Sequence, residues 1–416
     1  MNSHNDDNDD FPGEEGQELE NAHQALELGD YQEALELLED YLEEHPLDVE
    51  AMTLGAMAAS HQGDAAKSAA LYRLILRLDP GNATAHHYFG VLLEGLGRYE
   101  EAISHLLRAR DLQPDFPEIY LHAGHVLDHL GRAEEALNLY DEALLRLPDE
   151  ALVYFSRGCV LNRLGRYREA LDCFARVPAN DPQGAAALSG AGSALSGLGR
   201  DQEALTAHER AIALNPRVAT YRYDRGLTLA RLERFSEALD EFDAALDLDS
   251  GFLEAALEKV NVLIQVQRPD ESLKLLGEVE RRQPDNAQAA YFRGVVLQRL
   301  GDLEGAQRAL RESLSRDPGA TPVLNFLGHV LFELERLDEA LGCFDTVLAR
   351  RDSVPSANYD RARIFARRGQ VRLALRDLRQ AVKADSRYLE AAKSDASFDG
   401  VRDSTSFRRL LAAGHG

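Results

Sequence analysis

The chain has 416 residues, 71 of them acidic and 46 basic, for a formal charge of −25, and it contains no tryptophan. That balance argues against nucleic acid as a partner, because affinity for phosphates comes from clustered cations. No run approaches the roughly 18 apolar residues of a membrane span, and the opening MNSHNDDNDDFPGEEG has neither the basic nor the apolar segment of a secretory signal.

Residues 1–14 are rich in Asn, Asp and Gly and are expected to form a disordered acidic tail. From residue 15 apolar side chains recur at helical spacing. The plan is clearest in 83–116, ATAHHYFGVLLEGLGRYEEAISHLLRARDLQPDF. Tyr88, Phe89, Leu92 and Leu93 give a first helix one apolar face. Gly97 stops it, since the residue past a helix end often takes a left-handed backbone that glycine adopts without steric cost. Glu100 and Glu101 open a second helix against the positive end of its dipole. Ala102, Leu106, Leu107 and Ala109 form its buried side, and Pro114 ends it. Such a hairpin cannot bury its apolar face alone.

Neighbours occur at a fixed step of 34 residues. In phase with Pro114 are Pro12, Pro46, Pro80, Pro148, Pro182, Pro216, Pro284 and Pro318, with Ser250, Asp352 and Ser386 in the remaining places. Gly97 has counterparts throughout except at Glu233, Gln267 and Glu335. The places of Gly90 and Ala102 hold small residues, apart from Val260, so the two helices of each pair can approach closely. A period of this length signals a helical repeat array. The run 184–199, GAAALSGAGSALSGLG, is expected to be a thinner and softer stretch, since glycine weakens helices.

On these residues the chain resembles the tetratricopeptide repeat family: a small residue in the first helix, a turn glycine, the alanine of a YEEA-like segment and a closing proline. Eleven repeats span 15–388. The resemblance implies an all-α fold, a right-handed superhelical solenoid of antiparallel helix pairs with first helices lining the concave side. It also implies a scaffold that holds a peptide or helix of a protein partner in that groove. Residues 389–416 look like the closing segment of many bacterial members. There Leu389, Ala392, Phe398, Val401, Phe407, Leu410 and Leu411 can cover the last repeat's apolar side, a cap that arrays require.

A second step of 68 residues links Arg157, Arg225, Arg293 and Arg361, and likewise Arg163, Arg231, Arg299 and Arg367. Tyr223, Tyr291 and Tyr359 follow it, with Phe155 in phase. Two readings are open: salt bridges between repeats, or a ladder of rings and cations that grips an extended acidic ligand. Charge is also polarised. Residues 1–66 hold eight Asp and eleven Glu without Lys or Arg, whereas 350–416 hold fifteen basic against eight acidic residues.

No nucleophile elbow, phosphate loop, zinc-finger spacing or dinucleotide fingerprint is present, and an uninterrupted array leaves no room for a catalytic insertion. No enzyme activity and no cofactor are expected. Cys159, Cys173 and Cys343 lack ligand spacing and would leave an odd thiol if bridged, which favours free thiols and a cytoplasmic location. Histidines cluster in LHAGHVLDHL. His87, His125 and His129 with Asp128 could converge on a metal, or could be polar groove residues titrating near neutrality.

If first helices line the groove, its N-terminal half presents His87, Leu121, His125 and Phe155. Its C-terminal half presents Tyr223, Leu227, Asn261, Tyr291, Asn325 and Tyr359. This apolar and aromatic surface is expected to bind a protein or peptide. Self-association through the acidic first and basic last repeats is the alternative, and histidine-based metal binding a further one.

Overall fold

The computed structural model describes residues 14–350 and 354–413. The expected tail lies outside them, except for Glu14, which opens the first helix; so do Pro12 and Asp352 of the proline series. Every described element is helical, and the chain divides into two compact units, 1–216 and 217–416. No described helix is long and apolar enough to cross a membrane.

In the first unit the pairs are α1 (Glu14–Leu28) with α2 (Tyr31–Glu44), α3 (Val49–His61) with α4 (Ala65–Leu78), and α5 (Ala83–Gly95) with α6 (Tyr99–Leu112). They continue as α7 (Pro117–His129) with α8 (Ala133–Arg146), α9 (Ala151–Arg163) with α10 (Tyr167–Phe174), and α11 (Gly184–Gly197) with α12 (Asp201–Leu214). The second unit pairs α13 (Ala219–Arg231) with α14 (Phe235–Leu248), α15 (Leu253–Gln265) with α16 (Pro269–Arg282), and α17 (Ala287–Arg299) with α18 (Leu303–Arg316). Next come α19 (Thr321–Glu333) with α20 (Leu337–Arg350), and α21 (Pro355–Arg367) with α22 (Val371–Ala384). Three short helices close it: α23 (Arg387–Ser394), α24 (Asp399–Arg402) and α25 (Thr405–Ala413), with a 3₁₀ turn at Ala396–Phe398 between the first two.

Each turn within a pair is built the same way. After α5, Gly97 has φ +71° and the Arg98 N–H donates to the Leu93 carbonyl, the six-to-one bond of a Schellman ending. Glu233, Gln267 and Glu335, the three non-glycines in this place, also take positive φ, near 58–60°. A left-handed conformation costs a side-chain-bearing residue about 1–2 kcal/mol, so the surrounding helices impose the turn there. In the turns after α5, α7, α9, α11, α13, α15 and α19 an arginine follows this residue and clamps the glutamate three positions on, as Arg98 does Glu101 at 2.6 and 2.7 Å.

Within a pair, the small residue of the first helix faces a large one sixteen positions later. A Cβ on Gly124 would stand 2.5 Å from the Tyr140 ring, and one on Gly226 or Gly328 2.7 or 2.6 Å from Phe242 or Phe344. Tyr140, Phe242 and Phe344 are at most 1% exposed. Helix α10 departs from the plan of its neighbours: it has 8 residues where the other second helices have 14. Pro178 falls where the helix would continue, lacks an N–H and disfavours helical backbone before it. The truncation leaves an open cavity of about 940 Å³ lined in part by Leu171, Val177, Leu188 and Leu195.

Within each unit, first helices of successive pairs touch one another: α1–α3, α3–α5, α5–α7, α7–α9 and α9–α11 in the first, α13–α15, α15–α17 and α19–α21 in the second. Second helices make no comparable contact with each other among the described residues. The first-helix layer therefore lies on the shorter, inner radius of each unit.

Candidate functional site

Most of the sequence-derived partner residues sit at junctions between first helices. In the first unit His87 is 5% exposed, and its ring lies 5.4 Å from His122 on the next first helix. Leu121 is buried, so it forms floor rather than surface. His125 is half-buried and shares a hydrogen bond of 2.8 Å between its Nε2 and Ser156 Oγ on α9. Phe155 is half-buried against Phe174 at 6.3 Å.

In the second unit Tyr223 lies half-buried, 5.0 Å from Phe252 just before α15. Tyr291 is likewise half-buried, 6.1 Å edge-on to Phe326 of α19, which stacks near His329. Leu227, Asn261 and Asn325 are half-buried too. Asn325 donates to Ser356 Oγ at 3.0 Å, and Asn261 approaches Glu258 at 3.4 Å. Tyr359 differs. It is only 8% exposed, flanked by Tyr388 and Phe398 of the closing segment, and its hydroxyl donates to Asp395 at 3.0 Å. The third tyrosine of the 68-residue series is thus covered by the chain itself.

The two arginine series are engaged within the chain, and the inter-repeat bridge is what these contacts form. Arg157 reaches Asp141 at 2.8 Å and Cys173 at 2.9 Å. Arg293 reaches Glu280 at 2.6 Å and also pairs with Glu312. Arg361 reaches Asp345 at 2.7 Å and Asp377 at 2.6 Å. Each guanidinium thereby staples the second helix of its own pair to that of the pair before. Arg225 binds Glu241 at 2.6 Å within its own pair. In the other series Arg163 pairs with Asp128, Arg299 donates to the Ile264 carbonyl at 3.0 Å and Arg367 pairs with Glu335 at 2.8 Å, all toward the preceding repeat; Arg231 is also engaged. A cation whose partner lies in the preceding repeat braces the array, as Arg163, Arg299 and Arg367 do.

The histidines also group differently from the expected set. His129 stacks on Tyr99 with ring centroids 4.7 Å apart and planes 6° from parallel, and Asp128 is taken by Arg163. One 68-residue step earlier, His61 stacks on Tyr31 at 4.6 Å and 7°. His129 is therefore a packing residue at a helix end. Instead His122 and His125, three apart on one face of α7, meet Glu94 of α5, which the sequence reading passed over. One donor atom from each of the three lies within 4.8 Å of the others.

Burial sets the protonation of this region. It pushes the His87 imidazole down to about 4, helped by the neighbouring His122. It lowers His125 as well, against the opposing pull of Glu94. In the second unit His329 goes the other way: its hydrogen bond to Asp360, 3.5 Å from its Nδ1, raises it above the ordinary value despite burial. A raised folded-state pKa stabilises the fold below the unfolded value and loses that contribution as pH rises through the folded one. The wild type is accordingly expected to exceed His329→Gln in urea stability by more at about pH 6 than at about pH 8.5. An equal difference at both pH values would remove the ion pair from the account.

A family model described as tetratricopeptide repeat matches residues 19–83, 155–212, 190–251 and 257–321. Two further models of the same description match 93–154 and 320–394. No curated protein matches the chain in sequence. Solved structures similar to it include yeast Tom70, with 14% identity, TM-score 0.47, and coverage of 96% of this chain and 99% of that one. The APC/C hetero-tetramer Cut9–Hcn1 is similar at 12% identity and TM-score 0.47, covering 97% and 96%. A tetratricopeptide repeat protein from Parabacteroides merdae is similar at 17% identity and TM-score 0.48, covering 60% and 98%. With one repeat model alone matching more than half its length and helix pairs recurring in step with it, the chain belongs to the tetratricopeptide repeat family.

Proposed function

We propose that this protein is a non-enzymatic interaction scaffold that holds a helical or extended segment of a protein partner on the inner face of its second unit. Family membership supports the protein-binding role. The observation that carries the location is the state of Tyr223 and Tyr291. Both rings are half-buried at junctions between first helices, and among the described residues neither hydroxyl has a hydrogen-bond partner. A rigid ring with an apolar body and a polar tip is among the side chains enriched at the energetic centre of protein interfaces. Leu227 and Val295 on the same helices, both half-buried, supply apolar area, worth about 25 cal/mol per Å² removed from water. Asn261 and Asn325 offer amide groups that can register a partner's backbone.

The test compares wild type with Tyr223→Ala/Tyr291→Ala in affinity purification from the source cell, washed at low and at 0.5 M salt. A partner retained by wild type at both salts and lost from the double variant, with helical content unchanged, is the expected outcome. A partner set indifferent to the two tyrosines refutes the location. Recovery of the protein alone, dissociating at high salt, would instead indicate charge-driven self-association, because exposed charges are screened.

A further inference from the structure

The junction of α5 and α7 gathers metal-ligating side chains that the partner-binding reading does not use. Glu94 lies in the last turn of α5, and His122 and His125 lie on one face of α7. Glu94 Oε2 is 3.4 Å from His122 Nδ1, and one donor from each of the three residues lies within 4.8 Å of the others. We propose that Glu94, His122 and His125 bind a divalent transition ion of the zinc class.

The donor set selects the ion. Imidazole nitrogen suits zinc, copper, nickel and iron, whereas calcium and magnesium take oxygen ligands almost throughout. Zinc holds nitrogen and carboxylate oxygen at about 2.0–2.2 Å, which sets donors about 3.4 Å apart in a tetrahedron. The Glu94–His122 distance already meets that spacing, and no other gap has more than about 1.4 Å to close, within the reach of side-chain rotation. Two helices rather than a loop carry the ligands, so their backbones are fixed before the ion arrives.

Two features around the cluster fit an ion. Ser156 holds the His125 ring through Nε2, the kind of outer contact that orients a ligating histidine, and among the described residues Nδ1 has no hydrogen bond. His87, 5% exposed with its ring 5.4 Å from that of His122, has a buried Nε2 with no hydrogen-bond partner among the described residues. Buried polar atoms are nearly always satisfied, and an orphan at the edge of the cluster points to a ligand there. Three protein donors leave a tetrahedral ion one position for water or for a side chain of a bound protein.

The experiment titrates Zn²⁺ by calorimetry into the full chain after chelator treatment, and follows Co²⁺ by its visible absorption. One ion per chain is expected, with a tetrahedral Co²⁺ spectrum. His122→Ala, His125→Ala and Glu94→Gln should each weaken binding by more than about 10-fold. His129→Ala, one turn along α7 but stacked on Tyr99, should bind as wild type does. Zn²⁺ should also raise the melting temperature of wild type and leave that of His122→Ala/His125→Ala unchanged. Absence of binding by wild type, undiminished affinity in Glu94→Gln, or an equal loss in His129→Ala overturns the proposal.

Discussion

Tyr140→Ala is expected to cost the first unit about 3–5 kcal/mol, the range for deleting a buried aromatic side chain. Tyr140 is 1% exposed, and its ring fills the space over Gly124, where even a Cβ would come within 2.5 Å. Deleting the ring leaves a void that Gly124 has no side chain to fill. The same ring lies 6.0 Å from His125, so the loss also removes a wall of the histidine cluster. Tyr140→Leu should lose less than half as much, because Gly90 with Leu106 and Gly294 with Leu310 are glycine–leucine pairs in the same places of other repeats. In a repeat array stability is a sum of local and nearest-neighbour terms, so the damage should be local. Hydrogen exchange is expected to accelerate in α7 and α8 and much less in α1 or α2, with urea unfolding giving the total. If Tyr140→Ala comes within 1 kcal/mol of wild type, or Tyr140→Leu is as damaging as Tyr140→Ala, the glycine–ring pairing is not what holds these helices together.

That pairing also explains why the fold was legible in the sequence. Each repeat meets only its neighbours, so one packing solution recurs in register and its signature residues recur with it. The glycine of the turn and the small residue of the first helix mark a left-handed backbone and a close approach. Even the exceptions conform: Glu233, Gln267 and Glu335 take the glycine conformation because the helices around them dictate it. The truncation of α10 was masked for the opposite reason. Pro178 signals it, but turn residues replace helical ones one for one, so the 34-residue step continues undisturbed.

The direction of side chains was less legible than their spacing. His122, His125 and His129 share a broad face of α7, and spacing alone does not say which of them turn inward. Tyr99, thirty residues earlier, decides it by taking His129; the like-spaced Tyr31 and His61 were the available signal. The arginines are similar. In the Arg157 series most carboxylate partners stand sixteen residues away, as Asp141 before Arg157 and Asp377 after Arg361, while Arg293 uses Glu280 and Glu312 at thirteen and nineteen. A cation with such a partner at each repeat is a staple between helices, and periodicity alone does not separate a staple from an exposed ladder.

Asp395→Ala is expected to release the closing segment from the last helix pair. Asp395 sits where that segment meets α21, and its carboxylate has three tasks. It accepts from the Ser397 N–H at 2.8 Å, from the Tyr359 hydroxyl at 3.0 Å, and pairs with Arg363 at 2.8 Å. Burial by itself would raise its pKa, but the Ser397 bond, the Arg363 charge and the Tyr359 bond together hold it below the ordinary carboxyl range. Losing a cap and two charge-assisted contacts should cost about 2–4 kcal/mol. Phe398 and Phe407, both fully buried against the last pair, would then become exposed, and Tyr359 with them. Faster hydrogen exchange across 396–410, tryptic cleavage after Arg402 and binding of a hydrophobic dye should appear together, while the earlier repeats stay protected. Asp395→Asn should fall between, since asparagine also caps helices well but carries no charge for Arg363. The pH dependence has a fixed sign. A depressed carboxyl pKa stabilises the fold fully above the unfolded value of about 3.9 and loses that contribution as pH falls through the folded one. Wild type below about pH 4 should therefore begin to resemble the alanine variant at neutral pH. A segment that stays as protected in Asp395→Ala as in wild type would show that apolar burial alone holds the end of the array, without a polar lock.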